Sequence, residues 1–419
     1  MKIWKKKSQE EIKTYVFTAL DNNLNYNTQN ILGIPATYLD EDVFSQDETF
    51  LKEAPFMTSM VKNPNHIGCH TLGVSEGFFS GTQKIEKELI ELCAVDILKG
   101  QPNNHDGYVA SGGTEANIQA VWIYRNYFIN EFNAKLDEIA ILCSEDSHYS
   151  FDKASNLLSV SIHKVSVDDE ERFLSKERIT SQINKAKAQG KRYFIVVANM
   201  MTTMFGSVDD IDLYVECLKA SSIKFKVHVD GAFGGFYYPF ANEDCILNFQ
   251  NEHVTSITLD AHKMAQAPYG TGIFIIKKGF MKYVSTKEAS YIKGQDSTLI
   301  GSRSGANAIA VWMILMKHGP FGWFEKIYIL QKRATWFCEH LSDLNLDFFR
   351  FPSTNIIAIK SNSISKKTAA KFGLVPDNHH APNWYKIVVM SHVTIEKLSL
   401  LLECLKAENK KRYVQTKIN

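Results

Sequence analysis

Short runs of β-branched and aromatic residues recur through the middle of the chain, at 107–110, 139–143, 193–198, 225–229, 256–259 and 271–276. Their nearly unbroken hydrophobicity predicts strands buried on both faces. Segments of helical composition separate most of them. Over about 80–100, Ile85, Leu89, Leu92 and Val95 return at helical spacing, giving one apolar face. This alternation predicts an α/β fold built on a large, mostly parallel, doubly wound sheet. After residue 300 the rhythm changes. Helices are predicted over about 304–317 and 323–341, followed by strands near 356–359 and 386–390 and a helix over 394–405. The first 60 residues are polar and irregular apart from a helical stretch near 9–20. The pattern thus divides the chain into an N-terminal segment (1–60), a large domain (61–310) and a smaller C-terminal α+β domain (311–419).

A chain of 419 residues can bury an extensive core, and 45% hydrophobic with 22% charged residues is the balance of a globular protein. A formal net charge of +1 gives no electrostatic reason to expect nucleic acid or an anionic membrane as partner. No apolar run approaches the ~20 residues that span a bilayer. The start is basic but lacks the apolar stretch of a secretory signal. Seven scattered cysteines without a CxxC pair suit reduced thiols in a cytoplasm.

In open α/β sheets ligands bind beyond the carboxyl ends of the strands, so the residues after each predicted strand carry the functional information. Gly112 and Gly113 follow the first, at the start of a helix whose free N–H groups would hold a phosphate. His148 follows the second, and Thr202 and Thr203 the third. Asp230 ends the fourth beside small residues that admit something flat. Lys263 follows the fifth, among Ala265, Ala267, Gly270 and Gly272. A carboxylate and an isolated lysine at adjacent strand ends suit pyridoxal 5'-phosphate. The lysine would carry it as a Schiff base, and the carboxylate would keep the pyridine nitrogen protonated. Each element alone has an ordinary reading as a turn, a cap or a core residue. Five at one sheet edge point to a site.

The runs Ser111-Gly112-Gly113-Thr114-Glu115-Ala116-Asn117, Ser147-His148, His228-Val229-Asp230-Gly231-Ala232 and Asp260-Ala261-His262-Lys263 resemble the signatures of group II pyridoxal-phosphate-dependent amino-acid decarboxylases. The resemblance extends from about 73 to 405 through Phe79 to Glu88, Gly301 to Gly305 and Lys386 to Thr394. It is nearest to the compact branch of archaeal tyrosine/aspartate decarboxylases. It implies the type I, aspartate aminotransferase-like fold and conversion of an L-amino acid to its amine and CO2. It further implies that Lys263 bears the Schiff base, His148 stacks on the ring, Asp230 pairs with the ring nitrogen and Ala232 packs on the ring. Thr203 is then placed near the ring oxygen, and Gly113, Thr114, His262 and Ser302 among the residues that hold the cofactor. Members are homodimers with shared active sites. The 1–60 segment is therefore expected to supply dimer contacts and a pocket edge, and Tyr291, in the loop before Gly301, to donate a proton at the other subunit's site.

The chain departs from the family twice. Met201 stands where a glycine usually precedes the paired threonines, and Lys386 where arginine is common, removing a bidentate carboxylate clamp. His66, Cys69 and His70 have ligand-like spacing, but structural zinc needs four ligands, so no metal is expected. The same segment aligns with the family's substrate loop, which would put His66 and His70 at the pocket and favour a polar or acidic substrate side chain. Two other readings stand beside decarboxylation: an aldehyde-lyase resembling sphingosine-phosphate lyase, and an inactive homologue acting as a binding protein.

Overall fold

The computed structural model describes residues 4–23, 65–67, 77–286 and 295–416. Strands are numbered along the chain. A two-stranded ribbon pairs β1 (Asn65–Ile67) with β9 (Ser302–Ser304). The large sheet comprises β2 (His105–Ala110), β3 (Ile139–Ser144), β4 (Ser161–Val165), β5 (Tyr193–Asn199), β6 (Lys224–Gly231), β7 (Val254–Asp260) and β8 (Gly272–Lys277). Its order is β2-β8-β7-β6-β5-β3-β4, and only β8 runs against its neighbours. The predicted strands are all present. The edge strand β4 is an addition: its mixed exposure erased the hydrophobic run that marks the central strands.

Alternation along the strands explains how one sheet organises two cores. Ala140 and Leu142 face one side with Phe194, Val196 and Ala198, while Ile139, Ile141 and Cys143 face the other with Ile195 and Val197. The first face packs in one core with α2 (Ser80–Leu92), the helices Lys176–Ala188 and Ile211–Ala220 and the start of the long helix Gly305–Asp343, with α1 (Gln9–Asp21) lying on α2 and the long helix; the second is covered by α3 (Gly113–Phe132) and α4 (Ser150–Leu158). A capping box of Ser8 and Glu11 starts α1. Ahead of it Trp4 is buried and donates its indole N–H to the Leu315 carbonyl at 2.7 Å.

The long helix holds the two predicted helices. They meet at Gly319, whose φ of +65° breaks the helical path just before Pro320. Its residues through Leu330 pack in the sheet core. Ala334, Phe337 and Leu341 belong instead to a separate core with Ile357, Ile359, Leu401 and Leu405. That third core lies under a four-stranded antiparallel sheet of β10 (Phe348–Phe349), β11 (Ile356–Lys360), β13 (Trp384–Val388) and β12 (Val375–Pro376), closed by the helix Ile395–Thr416. Among the described residues no helix is long and apolar enough to cross a membrane.

Candidate active site

The parallel strands deliver their carboxyl ends to one edge, and the predicted residues gather there. A small pocket is lined by His148, Asn199, Met201, Thr202, Thr203, Asp230, Ala232, Phe233 and Lys263. Gly113 adjoins it. A Cβ at that position would lie 3.1 Å from both the Ala232 Cβ and an Asp260 oxygen, so glycine is what lets the backbone approach this closely. His70, Cys69 and Tyr291 lie outside the described residues. His66 is seen only as backbone, paired with Arg303 in the β1–β9 ribbon, and Ser302 stands on the same ribbon opposite Ile67.

Asp230 is buried and held by neutral donors. The Ala232 N–H reaches Oδ1 at 3.1 Å, and the Asn117 amide reaches Oδ2 at 3.0 Å. Two N–H donors stabilise and aim a carboxylate while leaving its charge uncompensated. Lys263 Nζ lies 3.5 Å from Asp260, whose other oxygen is 2.8 Å from His262 Nδ1. Burial raises the Asp260 carboxyl, against the pull of Lys263 and His262. Burial likewise lowers His262, which Asp260 opposes. The His148 imidazole is lowered by burial, with Asp230 raising and Lys263 lowering it, and its Nδ1 accepts the Ser150 N–H at 3.2 Å. At neutral pH it is a flat, uncharged ring beside the pocket.

The helix after β2 begins at Gly113 without a side-chain cap, and its first N–H points at Asp260 at 3.2 Å. An open helix start, a buried uncompensated carboxylate, a flat imidazole and a third-exposed lysine amine form the donor set that a phosphorylated pyridine aldehyde needs. The residues fit pyridoxal phosphate.

Both departures have structural outcomes. Met201 adopts φ +71°, the left-handed conformation a glycine enters freely, at a cost of roughly 1–2 kcal/mol. Its side chain is buried in the sheet core, which offsets that strain. Lys386 donates to the Thr203 carbonyl at 2.9 Å, so it ties the small sheet to the threonine loop.

Asn117, Asn199 and Asp209 were not legible as site residues. Asn199 lines the pocket, donates to Ser147 Oγ at 2.9 Å and is held by Asp209 through its backbone N–H (2.8 Å) and amide (2.7 Å). Burial pushes the Asp209 carboxyl up to about 7, against the Asn199 hydrogen bonds that lower it. Its folded pKa exceeds the unfolded 3.8, so the protein is favoured below 3.8 and loses stability as pH rises toward 7. The raise corresponds to on the order of 4 kcal/mol. Asp209→Asn is expected to flatten this slope, as read by urea unfolding midpoints at pH 5 and 8. An unchanged slope would show that Asp209 is ionised throughout.

Residues 84–349 match the family model described as the pyridoxal-dependent decarboxylase conserved domain. A tryptophan decarboxylase of Clostridium sporogenes is 49% identical over 98% of this chain and 99% of its own length. An L-aspartate decarboxylase of Thermococcus kodakarensis is 31% identical, covering 95% and 97%. Among solved structures, an L-methionine decarboxylase of Streptomyces sp. 590 has a TM-score of 0.70 at 21% identity, covering 95% of this chain and 93% of that one. The sphingosine-1-phosphate lyase of Burkholderia pseudomallei reaches 0.69 at 17%, covering 94% and 97%; likenesses this distant speak for the type I fold alone. The near full-length relatives favour decarboxylation over aldehyde-lyase chemistry. The strand-end residues and these matches lead to one conclusion: the chain belongs to the pyridoxal-dependent decarboxylase family, as a carboxy-lyase that uses pyridoxal phosphate to decarboxylate an amino acid.

Proposed function

We propose that the substrate is an aromatic L-amino acid, with L-tryptophan foremost, and the product its amine. The observation that carries this is the 49% identity to a tryptophan decarboxylase along nearly the whole of both chains. Lys386 stands where related chains often have arginine, so the bidentate carboxylate clamp an arginine would offer is missing at this position.

Bound pyridoxal phosphate supplies a sink for the electron pair left on the α-carbon when CO2 departs. Around it the chain has four tasks. Lys263 provides the amine that anchors the aldehyde and yields to the substrate's amine. With pyridoxal phosphate bound, Asp230 would keep a proton at the ring nitrogen, and His148, Ala232 and Thr203 would hold the ring. Gly113, Thr114 and His262 serve the phosphate. Tyr291 returns a proton to the α-carbon across a homodimer interface, where Ser302 and the 1–60 segment also belong. Convergence at one sheet edge supports the assignments of Lys263, Asp230, His148, Ala232, Thr203 and Gly113, while those of Tyr291, Ser302 and the 1–60 segment rest on the family resemblance. The scattered thiols support a cytoplasmic location.

Purified holoenzyme given L-tryptophan is expected to release tryptamine and CO2, with kcat/KM roughly 10²-fold above that for L-aspartate. Preference for aspartate, or absence of tryptamine, would overturn the substrate assignment while leaving the family intact.

A further inference from the structure

Behind Asp230 a chain of buried polar groups runs between α3 and the sheet. Asn117 and Tyr124 lie seven residues apart on one face of the helix. His228 and Asp230 share a face of β6, and Ser256 and Thr258 share one of β7. Asn117, Tyr124, His228, Ser256 and Thr258 are each at most 1% exposed.

The hydrogen bonds permit one arrangement of protons. Asp230 only accepts, so the Asn117 amide nitrogen faces it at 3.0 Å, and the second amide hydrogen goes to Ser150 Oγ at 2.9 Å. That turns Asn117 Oδ1 toward His228 Nε2 at 3.0 Å, so Nε2 carries a hydrogen. Burial pushes the His228 imidazole down to about 4, so the ring is neutral and Nδ1 is an acceptor. Ser256 then donates to Nδ1 at 2.7 Å, and Tyr124 donates to Ser256 at 2.5 Å. Thr258 Oγ1, at 3.3 Å, is a further acceptor for Nε2–H. Every hydrogen in the series points toward the carboxylate, and none of the four groups brings a full charge.

We infer that Tyr124, Ser256, His228 and Asn117 are positioning residues that fix the orientation of Asp230 and, through it, the protonation of the cofactor's ring nitrogen. Reversing one member reverses those after it. Without the Ser256 donor, His228 can place its hydrogen on Nδ1. Nε2 then repels Asn117 Oδ1, and the amide can no longer be held toward Asp230. The titratable groups that share the pocket with Asp230 are His148 and Lys263, on other loops, and neither hydrogen-bonds to a member of the series. The inference rests on the proposed pairing of Asp230 with the ring nitrogen.

The test uses pyridoxal phosphate carrying ¹⁵N in its ring, bound to the full-length protein, together with cofactor titration of the apoenzyme. Ser256→Ala and Asn117→Ala are each expected to move the ¹⁵N resonance toward the unprotonated position and to weaken cofactor binding roughly tenfold, the worth of one hydrogen bond to a charged group. Ser256→Thr is expected to restore both readings. If Ser256→Ala does not fold, Tyr124→Phe, which deletes one hydroxyl, is read in the same way. Wild-type resonance and affinity in the folded variants would reduce the series to packing and overturn the inference, whatever happened to their melting temperatures. Asp230→Ala separates the two levels. If it also leaves the resonance in place, the pairing of Asp230 with the ring is wrong. If it alone moves the resonance, only the relay is.

Discussion

Lys263→Ala is expected to leave a folded protein whose amine-forming turnover has fallen on the order of 10⁴-fold or more, as when a group acting covalently is deleted. Folding should survive. The Lys263 side chain is one-third exposed, and Asp260, 3.5 Å from its amine, keeps the Gly113 N–H as a hydrogen-bond partner. Borohydride treatment of the native holoprotein should fix a pyridoxyl group on Lys263, and the variant should carry none. A native protein that takes up no cofactor would return attention to the inactive binding homologue. A label on another lysine would show that the strand-end geometry had been assigned to the wrong amine.

The second large effect lies away from the pocket, where the runs around Phe79–Glu88 and Gly301–Gly305 meet. Arg303 donates to both oxygens of Glu86, through Nη1 and, at 3.2 Å, through Nη2; it also reaches the Val109 carbonyl at 3.0 Å. Glu86 takes the Val109 N–H at 2.6 Å as well, and the pair is almost wholly buried. Arg303→Met leaves a buried carboxylate without its counter-charge and is expected to cost about 3–5 kcal/mol, read from the urea unfolding midpoint. Replacing both partners, Glu86→Leu with Arg303→Met, removes the stranded charge and should recover much of that loss. A double variant no more stable than the single one would show that the hydrogen bonds to Val109, not the ion pair, hold the ribbon against β2.

The central strands and their carboxyl ends were legible because burial on both faces leaves a continuous apolar signature, and because ligands in this architecture lie at a known edge. Asp230, Lys263, His148 and Thr203 could therefore be placed together from sequence, although their spacing ranges from 27 to 115 residues. The partnerships that hold them could not. Asn117 reaches Asp230 across 113 positions and Arg303 reaches Glu86 across 217, and nothing beside Asn117, Glu86 or Arg303 in the sequence names its partner. Asp209 ends no predicted strand and has no distinctive neighbours. Its contact with Asn199 arises because the chain turns back through the Met200–Val208 bridge. Met201 is the reverse case. Sequence raised the question of its backbone, and three-dimensional packing answered it by burying the side chain.

The helix Gly305–Asp343 is rooted in two cores, with its bend at Gly319 inside the sheet-facing half. A fragment starting after Asp343 would therefore lack one wall of its own interior, and one ending before Gly305 would bare the apolar strip that Ala308, Trp312 and Leu315 now cover. The C-terminal portion is thus a lodger rather than an independent module. Any relative swing of the two halves must be borne by flexing this common girder, because no slack tether joins them.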